Sequence, residues 1–333
     1  WLLIIAPPSS AKTEIISSLN GIPDIYPLSS LTAHTLVSGM IDEEDKSLLL
    51  KLTGKIVALK DFTSVISMHR EQRAEVLSQL REIYDGSYKK PFGTGQVTEW
   101  EGKIGFIAGV TPIIDTHYAI FQMLGERFIQ FRIKSPDHIK MALKGMENSG
   151  REPEIRKELR NAVSSFIASV SLPNKKIILP TPIKEKIAPL AAFCVKARSG
   201  SVRDGRSREI IYTPEPEAPP RLAKQFVKLG EGLAVINGRF ALTEDDYRII
   251  YRVATDTIPK QRKDIIYKLS NSPLSTNAIK ESIKYPTSTV RKIFEELRSL
   301  GLVDISDQKI WSLTALTEDL LSKIEPFPEV STV

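Results

Sequence analysis

The feature that most constrains this fold lies at the start of the chain, where five apolar residues, Trp1 to Ile5, run directly into the segment APPSSAKT. A short apolar run, a loop of small residues and a Lys-Thr pair indicate a buried strand, a turn and the start of a helix. The segment from Ala6 to Thr13 fits the phosphate-loop template G-x-x-x-x-G-K-[ST], with alanine at both glycine positions. In that template Lys12 supplies a cation to bound phosphates and Thr13 offers a hydroxyl to Mg²⁺.

The predicted phosphate site depends on backbone amides at the start of a helix, which wrap an anion. The candidate nucleotide-binding residues are Pro8, Ser9, Ser10, Ala11, Lys12, Thr13 and Glu14. The two alanines weaken the match, because glycine reaches positive φ without steric cost and alanine does not. A plain strand–turn–helix connection is the alternative interpretation.

The amino-acid composition is that of an ordinary globular protein. The chain has 333 residues, 41% hydrophobic and 26% charged, which is typical of two or three ordinary globular domains. Its one cysteine, Cys194, excludes an internal disulfide and a cysteine zinc cluster, and favours a reducing, cytoplasmic location. The net charge of +6 is compatible with nucleic-acid binding.

The sequence has no pattern of a membrane span or of a signal peptide. No apolar run approaches the roughly 20 residues that span a bilayer, and no segment resembles a signal peptide, so no membrane partner is expected. The chain begins with Trp1 and not with Met, in a segment that is predicted to be a buried strand. We therefore expect an N-terminal part of the native protein to precede this sequence.

Strands alternate with helices through the first part of the chain, which predicts βαβ units and a parallel sheet. Apolar runs predict buried strands over residues 55–62 and 103–110 and in the tail of GERFIQFRIK. A further strand is predicted over residues 30–39, and an amphipathic helix over Glu71 to Tyr84.

The C-terminal part has the pattern of a winged helix-turn-helix. The last of three predicted helices has one apolar face, formed by Val290, Ile293, Phe294 and Leu297. Gly301 ends this helix, and the segment LVDIS…KIWSL predicts a two-stranded wing. The candidate DNA contacts on the predicted recognition helix are Ser288, Thr289, Arg291 and Lys292. Because the helix also carries Glu295 and Glu296, a module that contacts only protein is the alternative.

Asp61 ends a predicted buried strand, where a carboxylate can hold Mg²⁺ beside a phosphate loop. Two registers are open. If Asp61 binds the metal, Phe62 occupies the position that often carries a catalytic glutamate. If Asp61 takes the glutamate role, Lys60 occupies the metal-binding position. In both registers the usual Asp-Glu pair is incomplete, so hydrolysis is either slow or uses another base such as Glu71 or Glu101.

Three further residues are candidates for a catalytic role. Thr111 ends the next buried strand and could orient an attacking water. Arg127 is a candidate for stabilising charge on a neighbouring subunit's nucleotide, with a surface salt bridge to Glu126 as the alternative. Arg221, which opens a helix after a proline-rich break, is a candidate for reaching the γ-phosphate of its own subunit. Arginines 198, 203, 206 and 208 lie in one loop and either serve such a role, line a DNA path or are solvated.

In this order the segments resemble the AAA+ ATPase superfamily, and within it the minichromosome-maintenance-type helicases. APPSSAKT resembles a Walker A motif, KIVALKDF a Walker B motif, and GVTPIID a sensor-1 region with Thr111 in place of asparagine. GERFIQF resembles the arginine-finger segment, which maps onto Arg127, and PRLAKQF resembles the lid with its sensor-2 arginine, which maps onto Arg221.

The resemblance spans residues 1 to 315 and implies an α/β fold: a P-loop AAA+ parallel sheet with helices on both faces, a helical lid and a C-terminal winged helix. The implied domains are residues 1–136, 137–254 and 255–333. The implied function is an ATP-binding protein, with Mg²⁺ as cofactor, that hydrolyses ATP and acts on DNA as a homo-oligomer, for example a hexameric ring. The competing hypotheses are a nucleotide-gated DNA-binding adaptor that hardly hydrolyses ATP, and a structural protein with a relic site.

Overall fold

The computed structural model describes residues 1–37, 48–91, 97–116, 127–134 and 137–324. These residues form two compact units, the first ending at Ser169 and the second beginning at Val170. The domain boundaries expected after residues 136 and 254 stay predictions. None of the helices in these ranges has both the length and the apolar character that a membrane span requires.

A five-stranded parallel sheet forms the centre of the first unit, which confirms the predicted α/β class. The strands of this unit are β1 (Leu2–Ile5), β2 (Ile25–Leu28), β3 (Ile56–Leu59), β4 (Ser87–Pro91), β5 (Val97–Glu101), β6 (Gly105–Val110) and β7 (Ile129–Arg132). The sheet order is β2-β3-β6-β1-β7, and β4 pairs with β5 as a separate antiparallel hairpin.

Helices flank this sheet. They are α1 (Lys12–Ser17), α2 (Leu48–Lys51), α3 (Thr63–Ile66), α4 (Arg70–Asp85), α5 (His138–Glu147) and α6 (Glu152–Ser169), with a 3₁₀ turn at Pro112–Thr116. The predicted amphipathic helix is α4, which buries Val76, Leu80 and Ile83 on one face. It ends at Gly86, whose φ of +102° lies in the left-handed region that favours glycine.

β1 is buried on both of its faces, as its continuous apolar sequence predicts. Ile4 packs against Ile16 of α1 and Ala58 of β3. Leu3 and Ile5, which alternate with Ile4 along the strand, are 1% and 2% exposed. Helix α1 therefore lies directly on the sheet and holds the start of the phosphate-loop segment in place.

The prediction of a strand over residues 30–39 is wrong in its described part, because residues 30–37 form turns and irregular backbone. The second strand is instead Ile25–Leu28, which contains Pro27 and pairs with β3 alone. Proline cannot donate to a sheet and is tolerated at an edge. A strand that contains proline does not have the sequence pattern of a strand. Residues 30–39, which follow it, fit that pattern better, and the prediction therefore fell on them.

The second unit combines helices with small antiparallel sheets. Its helices are α7 (Thr181–Ala197), α8 (Pro220–Ile236), α9 (Glu244–Asp256), α10 (Lys260–Asn271), α11 (Thr276–Ile283), α12 (Thr287–Ser299) and α13 (Ala315–Ser322). Its strands are β8 (Val202–Arg203), β9 (Ile210–Tyr212), β10 (Leu274–Ser275), β11 (Val303–Ile305) and β12 (Ile310–Leu313). β8 and β9 form a hairpin, and the other three form a sheet in the order β10-β12-β11.

The predicted apolar face of α12 is confirmed, since its four residues are 0–5% exposed. Phe294 on this face stacks on Trp311 of β12, with ring centroids 4.2 Å apart. The aromatic pair fixes the helix against the small sheet and leaves the opposite face of α12, with Arg291 and Lys292, exposed.

Candidate functional site

The candidate site lies at the carboxyl edge of the parallel sheet, where all strand ends meet. β1 leads into the segment from Ala6 to Ala11, β3 leads to Asp61, and β6 leads to Thr111. From β1 the chain continues to β2 on one side of the sheet, and from β6 it continues to β7 on the other. Such a reversal between neighbouring strands opens a crevice at their carboxyl ends, and ligands of open α/β sheets bind in this crevice.

Lys12 lies inside this edge. Its Nζ donates hydrogen bonds to the carbonyl oxygens of Ala6 and Pro7, at 2.6 and 2.7 Å, and the residue is 9% exposed. Burial lowers the pKa of Lys12, and the nearby negative charge of Asp61 partly offsets this effect. The loop therefore folds around the Lys12 ammonium, which lies near the Asp61 carboxylate.

The backbone of the loop is left-handed at two positions, and one of them, Ala11, is a glycine position of the template. Ala11 has φ +58° and ψ +10°, and Ser9 has φ +60°, so both lie in the left-handed region. A residue with a Cβ pays about 1–2 kcal/mol to adopt this conformation. The loop thus forms despite the alanine at position 11. The strained residues, Ser9 and Ala11, both lie in the segment that would wrap phosphate.

We expect Ala11→Gly and Ala6→Gly to have opposite effects on stability. Glycine at position 11 relieves the left-handed strain of about 1–2 kcal/mol, and after its entropy cost of about 0.4–1 kcal/mol the stability is unchanged or rises by up to about 1.6 kcal/mol. Ala6 has no positive φ and is 1% exposed, so the loss of its methyl group destabilises the fold by roughly 1–2 kcal/mol. Chemical denaturation measures both, and equal destabilisation would contradict the strain at Ala11.

The remaining residues predicted to bind nucleotide differ in exposure. Pro8, Ser9, Ala11 and Thr13 are exposed, and Ser10 is buried. Glu14 accepts hydrogen bonds from Arg156 of α6, at 2.9 Å from Nε and 2.7 Å from one terminal nitrogen. This hydrogen bonding to the guanidinium lowers the pKa of Glu14. Arg156 was not among the predicted site residues, because nothing in the sequence connects it to position 14.

A hydrogen-bonded chain connects Asp61 to Thr111 through Thr63. The Thr63 amide donates to Asp61 Oδ1 at 2.8 Å, and the Thr111 amide donates to Thr63 Oγ1 at 3.2 Å. The Thr63 and Thr111 hydroxyl oxygens are 3.5 Å apart. Asp61 and Thr111 are thus brought together, as the prediction requires, and Thr63 is a connecting residue that sequence reasoning missed.

Phe62 and Lys60 flank Asp61 in the sequence and point to different environments. Phe62 is 0% exposed, and its ring centroid lies 6.4 Å from that of Phe106 and 5.6 Å from that of Phe128. Lys60 is exposed and lines a cavity of about 310 Å³ together with Thr13. Position 62 therefore belongs to the core, and position 60 faces the phosphate-loop helix.

The donor set beside Thr13 does not fit a divalent cation. Besides the Thr13 hydroxyl, this cavity holds the Glu14 carboxylate, which is already paired with Arg156, and the Lys60 ammonium. A second cation would be repelled by Lys60. Within the described residues, no three side chains of His, Cys, Asp or Glu form a group that could hold a metal ion. The expectation that Thr13 and Asp61 hold Mg²⁺ stays a prediction.

Gly109 of β6 permits the close approach of these elements. A Cβ at this position would lie 2.8 Å from the Lys60 carbonyl oxygen and 3.1 Å from Cδ1 of Ile16. The Gly109 carbonyl also accepts a hydrogen bond from the Phe62 amide at 2.7 Å. The absence of a side chain at Gly109 therefore sets the spacing between α1 and the end of β3.

Arg127 lies at the opposite, amino edge of the sheet, just before β7. Its guanidinium donates to Asp85 at 2.8 Å and lies 5.6 Å from the ring centroid of Tyr84. The residue is 7% exposed. The alternative partner, Glu126, lies outside the described residues. The role of Arg127 at a neighbour's nucleotide stays a prediction, and in the structure this buried arginine forms an ion pair with the half-exposed Asp85.

The other predicted arginine, Arg221, belongs to the second unit. It lies in the first turn of α8 and donates to Glu217 at 3.4 Å. The same carboxylate forms an ion pair with Arg198, which is 2% exposed. Arg198 is therefore a structural residue of the second unit and not part of a solvated loop.

The predicted DNA contacts lie at the start of α12. Ser288, Arg291 and Lys292 are exposed and Thr289 is half-buried. The arginine-rich segment that precedes them in sequence forms the β8–β9 hairpin, with Arg206 and Arg208 exposed in its turn.

No model of a known protein family matches this chain, and a comparison with curated proteins finds no match.

Proposed function

We propose that the protein binds ATP at the carboxyl edge of its parallel sheet and acts on DNA as an AAA+-type oligomer. The observation that carries the proposal is the meeting of three strand ends at one crevice, which brings the Lys12 loop, Asp61 and Thr111 together. A five-stranded parallel sheet flanked by helices is compatible with a P-loop fold. The ring assembly and the trans role of Arg127 come from the AAA+ resemblance.

The chemistry at this edge suits a nucleoside triphosphate. The Lys12 ammonium supplies positive charge, and rearrangement toward a phosphate would exchange two carbonyl acceptors for a stronger, charged one. Thr63 holds Asp61 and Thr111 together, and the proposal is that the water attacking a terminal phosphate lies beside them. Asp61 is then the candidate base and Thr111 the candidate positioning hydroxyl.

The second unit supports the DNA part of the proposal. Helices α10, α11 and α12 with strands β10, β11 and β12 have the element order of a winged helix-turn-helix, and we propose that α12 is its recognition helix. Arg291 and Lys292 are exposed on the face opposite its buried residues, which is the face that would enter a groove.

A nucleotide-gated adaptor that binds ATP with little hydrolysis is the second candidate function. The observation that favours it is Lys60, which adds a cation to the cavity beside Thr13. Lys60 and Lys12 both supply positive charge here, so the site can neutralise phosphate charge, but it lacks the usual acidic pair. The two candidates share ATP binding and differ in turnover.

We expect ATP to bind with an affinity that changes by less than about threefold when Mg²⁺ is replaced by EDTA, since threefold corresponds to only about 0.7 kcal/mol. Equilibrium titration with a fluorescent ATP analogue measures this on the wild-type chain. Steady-state hydrolysis, with and without duplex DNA, separates the two candidates. Turnover that DNA stimulates supports the motor, and binding without turnover supports the adaptor. No binding in either buffer would contradict both.

A further inference from the structure

The β8–β9 hairpin is docked along the side of α12, although the two are separated by more than 70 residues in sequence. Arg203 of β8 makes the main contact. Its guanidinium donates to Glu295 at 2.8 Å, to Glu296 at 3.3 Å and to the Lys292 carbonyl oxygen at 2.8 Å. The hydroxyls of Ser201 and Ser299 are 2.9 Å apart at the far end of this contact.

Both glutamates of α12 form ion pairs with arginines within the second unit. Glu295 pairs with Arg203, and Glu296 pairs with both Arg203 and Arg262, the latter at 2.9 Å. The two glutamates that argued against a nucleic-acid role for this helix are therefore neutralised within the fold. The positive charges of Arg291 and Lys292 remain, and their side chains form no ion pair with the described residues.

A cleft of about 390 Å³ lies between the hairpin and α12. Besides Arg203, its cations are Arg208 from the hairpin and Arg291 and Lys292 from the helix, and Ser207 and Ser288 add hydroxyls. Glu209 is its one carboxylate apart from the paired Glu295. Arg206 is exposed at the hairpin turn next to this cleft. An excess of cations together with hydroxyl donors suits phosphate oxygens.

The hairpin turn is held in one conformation. The amides of Arg206 and Ser207 both donate to Asp204 Oδ1 at 2.7 Å, and the Asp204 amide donates to the Glu209 carbonyl at 2.9 Å. The Arg208 carbonyl accepts from Arg203 at 2.8 Å, which joins the turn to the contact with α12. The backbone that carries Arg206 and Arg208 is therefore held in place beside α12.

We infer that this cleft binds the phosphate backbone of a DNA duplex, beside the groove that α12 enters, so that Arg206 and Arg208 belong to the DNA interface. The inference rests on the proposed DNA binding by α12. The major groove is about 12 Å wide and admits one helix or one two-stranded ribbon. A ribbon docked beside α12 does not fit into the groove with it and instead meets the flanking phosphates. The hairpin contributes affinity and not sequence preference.

The test compares three double variants of the full chain by fluorescence anisotropy with several duplexes of different sequence across a salt series. The hairpin pair is Arg206→Gln with Arg208→Gln, and the helix pair is Arg291→Gln with Lys292→Gln. The matched control, Lys184→Gln with Arg248→Gln, removes two exposed charges from α7 and α9. Loss of two phosphate contacts reduces the slope of log affinity against log salt by roughly 1.8 and the affinity by roughly 10- to 60-fold at about 0.1 M salt.

The expected result is that the hairpin pair shows this loss equally on every duplex sequence, while the control pair binds as the wild type does. If the helix pair weakens binding and the hairpin pair does not, the inference is overturned and DNA binding by α12 stands. If the wild-type chain binds no duplex with or without ATP, the proposed DNA function fails and the inference fails with it. Circular dichroism of each variant shows that the fold is retained.

Discussion

Replacing Lys12 with alanine will weaken ATP binding by roughly 30- to 1,000-fold, which corresponds to about 2–4 kcal/mol. Lys12 is held inside the loop by two carbonyl oxygens, at 2.6 and 2.7 Å, so its charge is positioned before any phosphate arrives. Because the ammonium is buried and its pKa is lowered, it gains more from an anionic ligand than an exposed lysine would. Equilibrium titration with ATP measures the loss.

The matched control is Lys140→Ala, which removes an exposed lysine from α5 of the same unit. This variant is expected to bind ATP with the wild-type affinity. Thermal unfolding of Lys12→Ala shows whether the loop change alters the fold, since the carbonyl groups of Ala6 and Pro7 lose their donor. Unchanged ATP affinity in a folded Lys12→Ala protein would end the phosphate-loop interpretation.

Phe62→Glu, which would appear to complete an Asp-Glu pair, will instead unfold the first unit. Removing a buried phenylalanine side chain costs about 3–5 kcal/mol, and a buried carboxylate adds a desolvation cost. The total approaches the whole stability of a typical domain, which is about 5–15 kcal/mol. The aromatic cluster of Phe62, Phe106 and Phe128 leaves no water-accessible position for a charge at residue 62. Chemical denaturation followed by circular dichroism measures the effect.

Lys60→Asp is the matched substitution on the other side of Asp61. Lys60 is exposed, so this variant is expected to keep the wild-type stability within about 0.5 kcal/mol. It also places a carboxylate in the cavity shared with Thr13, and we expect its ATP binding to become dependent on Mg²⁺. A Phe62→Glu protein as stable as the wild type would show that position 62 does not belong to the core.

The sequence predicted those elements whose signal is local. The apolar runs predicted β1, β3, β6 and β7, and helical spacing predicted the buried face of α12. These features depend on residues within one or two turns of each other, so a single chain is enough to find them. The strand Ile25–Leu28 was missed because its proline is tolerable only at a sheet edge, and edge position is a property of the whole sheet.

The candidate site was predicted only as separate parts. Lys12, Asp61 and Thr111 follow from motif and strand ends, whereas the connection through Thr63 depends on β3 and β6 being neighbours. The two registers around Asp61 stay predictions, and the structure adds that Phe62 lies in the core and that Lys60 lies beside Thr13. The docking of Arg203 on Glu295 and Glu296 joins segments about 90 residues apart, and no local pattern indicates it.

Glu217 accepts from two arginines, the buried Arg198 and the half-exposed Arg221, and this sharing makes movement of Arg221 inexpensive. Glu217 keeps the buried Arg198 as its counterion when Arg221 turns away, so neither charge is orphaned in the interior. Releasing the half-exposed Arg221 then costs only what an ordinary surface ion pair contributes, about 0–1 kcal/mol. Breaking a buried pair would cost several times more. Arg221 can therefore leave Glu217 for another anion while the ion pair between Arg198 and Glu217 stays in place.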